Sequence, residues 1–424
     1  CIPTKTLLHQ AHQLRSMQEA DHFGLSVRGE VGFDWARVIE RSREATDGLS
    51  AGIAGLLRRH KIDVIHGHGQ LTEPAHVEVT DSLGKRHSLA TQRTLLATGS
   101  RPRLLPDLDL SEHPRILTSR EAMVLGDRPR SVVIIGAGAI GVEFSRFFSA
   151  FGSNVTVLEL AHQILPTEDP QAAAVVHAAL EAEGVEIHTG VQIDSLEGGP
   201  RRRTATVNWR GAEGEQASSC RADVCLVAIG VVGNIEGIGL ENLGVQTEAG
   251  SIVVDDRYRT SSPNVWAVGD VIGGSRLAHA ATAEAVAAID FMMDRRQTPI
   301  RSDLIPACVY GDPEVASVGL SESVAQEQGI EVRIGRFPFS ASGRALATGS
   351  GKGFIKLIFG ARYGELLGAS LVGQGVTELI GELCLAIQLE ATWEELAHTV
   401  HPHPTLSEGI MEAAAAAFGE AINI

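Results

Sequence analysis

The run Val132-Val133-Ile134-Ile135-Gly136-Ala137-Gly138-Ala139-Ile140-Gly141 restricts the folds open to this chain more than any other stretch. The continuous apolar segment Ser131–Ile135 reads as a buried strand. It runs into three glycines with G-x-G-x-x-G spacing, and then into helical periodicity over 142–151. Residues 154–159 read as the next strand, so the segment is one βαβ unit. Gly136 permits the tight turn, Gly138 lets the backbone approach a pyrophosphate, and Gly141 permits close packing of helix on strand. The helix N-terminus offers N–H groups and the positive end of its dipole to phosphates. Glu159 ends the second strand, 23 residues after Gly136, placed to accept from a ribose with a free 2′-hydroxyl. A carboxylate there repels a 2′-phosphate, and Leu160-Ala161-His162-Gln163 contains no Arg, so NAD is favoured over NADP. A glycine turn of purely structural use accounts for the spacing, but not for the flanking pattern or Glu159.

The remaining pattern surrounds this unit. A chain of 424 residues has room for two to four domains. The spacing predicts helices over 4–17 and 35–57, then strands at 62–65, 76–80 and 94–97. Pro102, Pro106 and Pro114 mark a loop-rich connection. After the βαβ unit come a helix at 171–183, a buried strand at 223–229, a strand at 264–268 ending in Gly269-Asp270, and an Ala-rich helix at 280–294. From 305 the pattern is α+β. Strands are expected near 315–318, 331–337, 353–359 and 366–372, and helices near 321–329, 376–389 and 407–418. There is no internal repeat, heptad array or low-complexity segment.

Composition closes off several classes. Lys and Arg number 36 against 52 Asp and Glu, and the formal net charge of −16 argues against sequence-independent nucleic-acid binding. No apolar run reaches the roughly 18 residues of a membrane-crossing helix. The 46 glycines, with 4% aromatics, suggest tight turns around ligands more than a β-sandwich. Cysteines at 1, 220, 225, 308 and 384 are too widely spaced for a disulfide-dense secreted domain, and point to a reducing, cytoplasmic setting. Targeting is not read from a chain that starts at Cys1. Cys225 reads as strand and Cys220 as a polar loop before it, and their odd spacing sends the side chains to opposite faces of an extended chain. Cys308 and Cys384 read as small buried residues. His9, His12, His66 and His68 lack ligand spacing, so no metal site is expected. Arg201-Arg202-Arg203 reads as a solvated hairpin tip, and 413–417 as helix packing at a subunit interface.

Two motifs lie near the chain ends. Cys1-Ile2-Pro3-Thr4-Lys5 reads, taken alone, as a helix entry with an early proline. In His401-Pro402-His403-Pro404-Thr405-Leu406-Ser407-Glu408, a His precedes a Glu by five residues with a Pro between to turn the chain. That spacing suits a base oriented by a carboxylate. It equally suits a solvated His turn followed by a helix capped by Ser407.

These motifs, with Ala97-Thr98-Gly99-Ser100, Val265-Trp266-Ala267-Val268-Gly269-Asp270 and Leu277-Ala278-His279, occur in the order of the pyridine nucleotide–disulfide oxidoreductases. The sequence resembles that family over essentially all of its length, and most resembles the members that oxidise dihydrolipoamide. The resemblance implies an α/β fold with two Rossmann-like dinucleotide-binding domains, for FAD and NAD, and a C-terminal α+β dimerisation domain. It implies an FAD-binding domain over 1–127, an NAD-binding domain over 128–250, a return to the FAD-binding domain over 251–302, and a dimerisation domain over 303–424. It implies a homodimeric enzyme that oxidises dihydrolipoamide to lipoamide with reduction of NAD+, through a redox disulfide and FAD. Its partner would be the lipoyl domain of a 2-oxo acid dehydrogenase complex.

The resemblance also implies roles for residues. Cys1 matches the flavin-side cysteine of the redox pair, and Lys5 resembles the lysine beside the flavin ring, with Glu143 as its acidic partner. Asp270 resembles the aspartate that binds the ribityl chain. Arg276, Leu277, Ala278 and His279 resemble the segment near the flavin and its phosphate, and Gly69, Thr98, Gly99 and Ser100 match positions lining the FAD. Glu143, Ile193 and Gly230 match positions along the NAD groove, beside Gly136, Gly138, Gly141 and Glu159. His403 resembles the base, held by Glu408, that the partner subunit delivers into the active site. A His near neutral pKa suits deprotonation of a thiol, which is a poor nucleophile until ionised, and a helix N-terminus suits a thiolate at Cys1.

The sequence departs from the family in two places. The family's other redox cysteine and its first glycine turn, for FAD, are expected upstream of Cys1. Val231 and Gly233 stand where many members carry Arg and Pro. The alternatives are a soluble pyridine nucleotide transhydrogenase, another disulfide or metal-ion reductase of the same fold, and a non-catalytic truncated paralogue.

Overall fold

A computed structural model describes residues 1–199, 202–211, 217–295 and 298–424. Arg201 of the expected hairpin tip lies outside the described residues. The chain divides into two units, one of residues 1, 44–103 and 230–302, the other of 2–43, 104–229 and 303–424.

The larger unit contains the fingerprint strand at the centre of a five-stranded parallel sheet. In order, its strands are Ile116–Leu117, Val224–Val227, Ser131–Ile135, Asn154–Leu158 and Glu186–His188. The central strands are unbroken apolar runs because a parallel sheet is covered on both faces. The fingerprint helix, Ala139–Ala150, packs Phe147 and Phe148, with Phe151 just beyond it, against Trp35, and Phe144 packs on Phe147 and Phe148. The indole N–H of Trp35 donates to Leu125 O at 2.8 Å. The first helix, Ile2–Gln18, adds Leu7, Leu8, Ala11 and Leu14 to the same core, which fixes it beside the fingerprint helix. A core of this kind stabilises by about 25 cal/mol per Å² of apolar surface removed from water.

The C-terminal part of this unit is an antiparallel sheet in the order Ala307–Val309, Glu314–Gly319, Leu366–Gly373, Phe354–Gly360 and Val332–Pro338. Every residue of Phe354–Gly360 is buried, under a second core that includes the helices Val376–Gln388 and Glu408–Ala416. Lys356 lies in that strand at 2% exposure, and its ammonium is 2.7 Å from Asp169 and 2.8 Å from Glu322. Asp169 also caps the helix Pro170–Ala182, accepting from Gln171 N at 2.8 Å.

The smaller unit holds a three-stranded antiparallel sheet, His68–Glu73, His76–Thr80 and Arg86–Ala90. A parallel pair, Thr94–Leu96 with Val265–Ala267, and an antiparallel pair, Ser100–Pro102 with Val231–Gly233, complete its main framework. Its core gathers Leu71, Leu96, Ile238, Ile252, Val265 and Val271.

Several expectations are corrected. Residues 62–65 form no strand, and Ile62, Val64 and Ile65 are exposed, because no strand pairs with them among the described residues. Cys220 lies in the strand Ser218–Ala222, not in a loop, paired in an antiparallel sheet with Ala205–Gly211. That sheet, with Val191–Glu197, went unread because its strands are half exposed and polar. Ser407 does not cap the last helix with its side chain, since its hydroxyl is 2.9 Å from that of Thr405. No helix among the described residues is long and apolar enough to cross a membrane.

Candidate functional site

The fingerprint turn has the shape its glycines allow. Gly136 has φ +97°, and a Cβ there would lie 2.5 Å from Ala228 O. A Cβ at Gly141 would strike Gly136 O. Gly138, at the N-cap of the fingerprint helix, faces open space instead, which leaves room for a pyrophosphate at the helix N-terminus. Glu159 is buried, and its two oxygens accept from Ala137 N at 2.5 Å and Ala161 N at 2.8 Å. It therefore braces the turn, while each carboxylate oxygen keeps a lone pair for a ribose hydroxyl. Ile193 lies in the strand Val191–Glu197, beside a bulge.

The fold brings Lys5 and Glu143 together. The Lys5 ammonium is 2.6 and 2.7 Å from the two Glu143 oxygens, and Glu143 is 5% exposed. Tyr310, which the sequence reading missed, completes the pair. Its backbone N–H donates to Glu143 at 3.1 Å, and its ring lies 4.4 Å from the ammonium. The chain has three tyrosines, and one directly ahead of Gly311-Asp312-Pro313 was the available hint. A cavity of about 260 Å³ opens beside them, lined by Lys5, Leu8, His9, His12, Tyr310 and Asp312 among others. At its edge Arg146 bridges Asp312, at 3.0 Å, and Glu183, and Arg15 joins Glu183. Burial pulls the Arg146 guanidinium down to about 10. The hydrogen bond to Asp312 raises His12 above its ordinary value. Burial works to raise Asp312, but the His12 hydrogen bond and the Arg146 charge outweigh it and hold that carboxyl low.

In the smaller unit, the Ser100 hydroxyl donates to Asp270 at 2.6 Å. Thr98 Oγ1 donates to Asn234 O at 2.8 Å, and the Asn234 amide donates back to Thr98 O at 2.9 Å. Gly99 has φ +70° and accepts from Asn234 N at 2.9 Å. Asn234 is thus a second residue the sequence reading missed. Arg276 has φ +51° and donates to Ser251 at 3.2 Å, yet its buried Nε has no hydrogen-bond partner among the described residues. Leu277 is the N-cap of the helix Ala278–Met292, with Ala278 and His279 in its first turn. An unspent guanidinium N–H and a carboxylate fit a polar, phosphate-bearing group such as FAD. Gly69 lies in the strand His68–Glu73 opposite Val79, and Gly230 has φ +100° with open space at its Cβ position.

At the C-terminal end, His403 Nδ1 is 2.9 Å from Glu408 Oε1, and Thr405 N donates to the other Glu408 oxygen at 2.8 Å. Glu408 opens the helix Glu408–Ala416, whose burial against the sheet holds it in place. Burial works to raise the Glu408 carboxyl, but the Thr405 N–H and the His403 imidazole outweigh it, with His401 adding to them, and hold it below the usual carboxylate range. The His403 ring is 78% exposed, so its Nε2 is open to a substrate.

Cys1 is exposed and directly precedes the helix Ile2–Gln18. The other cysteines are poor nucleophiles. Burial pushes Cys220 and Cys308 up to about 11, and Cys225 further.

A glycine turn on a buried parallel sheet, a helix opening onto it and a braced carboxylate define a dinucleotide-binding protein. The chain belongs to the pyridine nucleotide-disulphide oxidoreductase family. Residues 1–285 match that family, and residues 305–414 match its dimerisation domain, which makes the protein a dimer of two such chains. It is 42% identical over 414 residues to the dihydrolipoyl dehydrogenase of Chlorobaculum tepidum, covering 98% of this chain and 87% of the relative. It is 41% identical over 429 residues to that of Zymomonas mobilis, covering 100% and 90%. Among solved structures, LpdA from Mycobacterium tuberculosis superposes with a TM-score of 0.89 at 28% identity, covering 98% of this chain and 89% of that one. The HOCl-induced flavoprotein disulfide reductase RclA from Escherichia coli superposes with a TM-score of 0.84 at 25% identity, covering 98% and 89%. The expected α/β fold, with its dimerisation domain, holds. The chain is an NAD-dependent flavoprotein oxidoreductase whose cofactors are FAD and NAD.

Proposed function

We propose that the protein oxidises dihydrolipoamide carried on the lipoyl domain of a 2-oxo acid dehydrogenase complex, with NAD+ as acceptor. The observation that carries this reading is the His403–Glu408 pair, 2.9 Å apart with the outer ring nitrogen exposed. A dithiol substrate must lose a proton before its sulfur attacks a disulfide. His403 takes that proton at Nε2, and Glu408 holds the ring through Nδ1 and stabilises the imidazolium that forms. A pyridine nucleotide transhydrogenase has no use for such a base.

Cys1 supplies one sulfur of the exchange, and the N-terminus of the helix Ile2–Gln18 stabilises its thiolate. Bound FAD converts two-electron thiol chemistry into hydride transfer to NAD+. Lys5, held by Glu143, places a fixed positive charge beside the flavin. Asp270, Ser100, Thr98, Gly99, Gly69 and the segment Arg276, Leu277, Ala278 and His279 hold the FAD. Gly136, Gly138, Gly141, Glu159, Ile193 and Gly230 line the NAD groove. The domain scheme proposed with this reading is FAD-binding over 1–127 and 251–302, NAD-binding over 128–250 and dimerisation over 303–424. Five cysteines, odd in number and widely spaced, fit a cytoplasmic setting.

The test is a visible spectrum of the flavin-loaded protein before and after dihydrolipoamide. A long-wavelength thiolate–flavin band is expected. Flavin that ignores dihydrolipoamide but is reduced by NADH would move the activity to another acceptor.

A further inference from the structure

The loop that carries His403 contains a second histidine–carboxylate pair. His401 and His403 are two residues apart, yet the His401 side chain is 5% exposed where that of His403 is 78% exposed. His401 Nε2 lies 2.9 Å from Glu382 Oε1, on the helix Val376–Gln388. Its Nδ1 lies 2.9 Å from the backbone oxygen of Thr399. A backbone carbonyl only accepts, and so does an ionised carboxylate. Both ring nitrogens are thus engaged, and the orientation of the ring is fixed from two sides.

We propose that His401, clamped by Glu382, is a positioning residue for His403. The loop runs without regular structure between the helices Trp393–His398 and Glu408–Ala416. Its downstream side is anchored where Thr405 N and His403 both meet Glu408. Its upstream side is anchored by His401 on Glu382. His403 sits between the two. An exposed imidazole has few packing contacts to orient it, so its aim depends on the backbone that carries it. Without the upstream anchor the ring is held through Glu408 alone, and proton transfer is sensitive to small errors in that aim. The inference rests on the reading of His403 as the base.

The test compares Glu382→Ala and Glu382→Gln in the flavin-loaded protein, with free dihydrolipoamide as probe. Glu382→Ala is expected to lower kcat for dihydrolipoamide roughly tenfold or more. NADH-to-dye electron transfer, KM for NAD+ and flavin content should stay within about twofold, since none of them uses the base. Glu382→Gln keeps an amide oxygen that accepts from His401 Nε2, and should restore much of the loss. Unchanged kcat in Glu382→Ala overturns the proposal. So does a parallel fall in kcat, dye transfer and flavin content, the mark of a general structural role. His403→Gln, run beside them, separates the two readings. Loss of turnover there, with full turnover in Glu382→Ala, removes the clamp and keeps the base. Retained turnover in His403→Gln removes both.

Discussion

The ammonium of Lys5 is shared by both carboxylate oxygens of Glu143, at 2.6 and 2.7 Å, across 138 residues of sequence. The pair joins the first helix to the fingerprint helix, and Glu143 has almost no contact with water. Glu143→Ala strands the Lys5 charge. The expected cost is roughly 2 kcal/mol, below that of a fully buried pair because the Lys5 side chain is 30% exposed. A shift in the denaturant midpoint at constant m reads it. A double replacement, Lys5→Met with Glu143→Leu, should cost less than the single one.

Glu159→Ala leaves the Ala137 and Ala161 N–H groups without their acceptor. Each such group costs about 1–3 kcal/mol when it stays dry. The turn at Gly136 should loosen, and KM for NAD+ should rise on the order of tenfold with KM for dihydrolipoamide unchanged. Equal changes in both constants would count against a site-specific role.

His403→Gln should lower dihydrolipoamide turnover by on the order of 10²–10³, the usual weight of a general base. The bound flavin spectrum should match that of the parent, since His403 is exposed and carries no core. Stopped-flow reduction by dihydrolipoamide tests the first statement and absorbance the second.

The His12–Asp312 contact sets a pH window. His12 is raised above 6.5, so its contribution to stability is full below 6.5 and is lost as pH climbs through the folded value. Asp312 is lowered below 3.8, so its contribution is present above 3.8 and is lost as pH falls through the folded value. The stability difference between the parent and His12→Gln should be largest from about 4 to 6 and should shrink toward pH 8. Melting temperatures across that range check it, and a difference that grows with pH would reverse the assignment.

What could be read from sequence depended on how far apart the interacting groups lie. The strand Ser131–Ile135 was plain because burial on both faces leaves an uninterrupted apolar run. His403 and Glu408 were readable as a pair because five residues and a turn separate them. Lys5 and Glu143 came only from family resemblance, since no local spacing connects two helices that meet by packing. Glu382 gave no signal, because its partner lies 19 residues on and across a helix. Residues 62–65 have strand composition without a strand to bond, and composition alone does not supply the partner.

Lys356 is anchored in the C-terminal sheet, while Asp169 caps the helix that follows the fingerprint unit. Losing Asp169 leaves a charge at 2% exposure with Glu322 as its remaining carboxylate, at a penalty. Neither element can therefore be exchanged for that of a relative as a free-standing cassette. A chimera that imports one without the other should melt at a lower temperature than the parent, and a graft that carries both Asp169 and Lys356 should recover the difference.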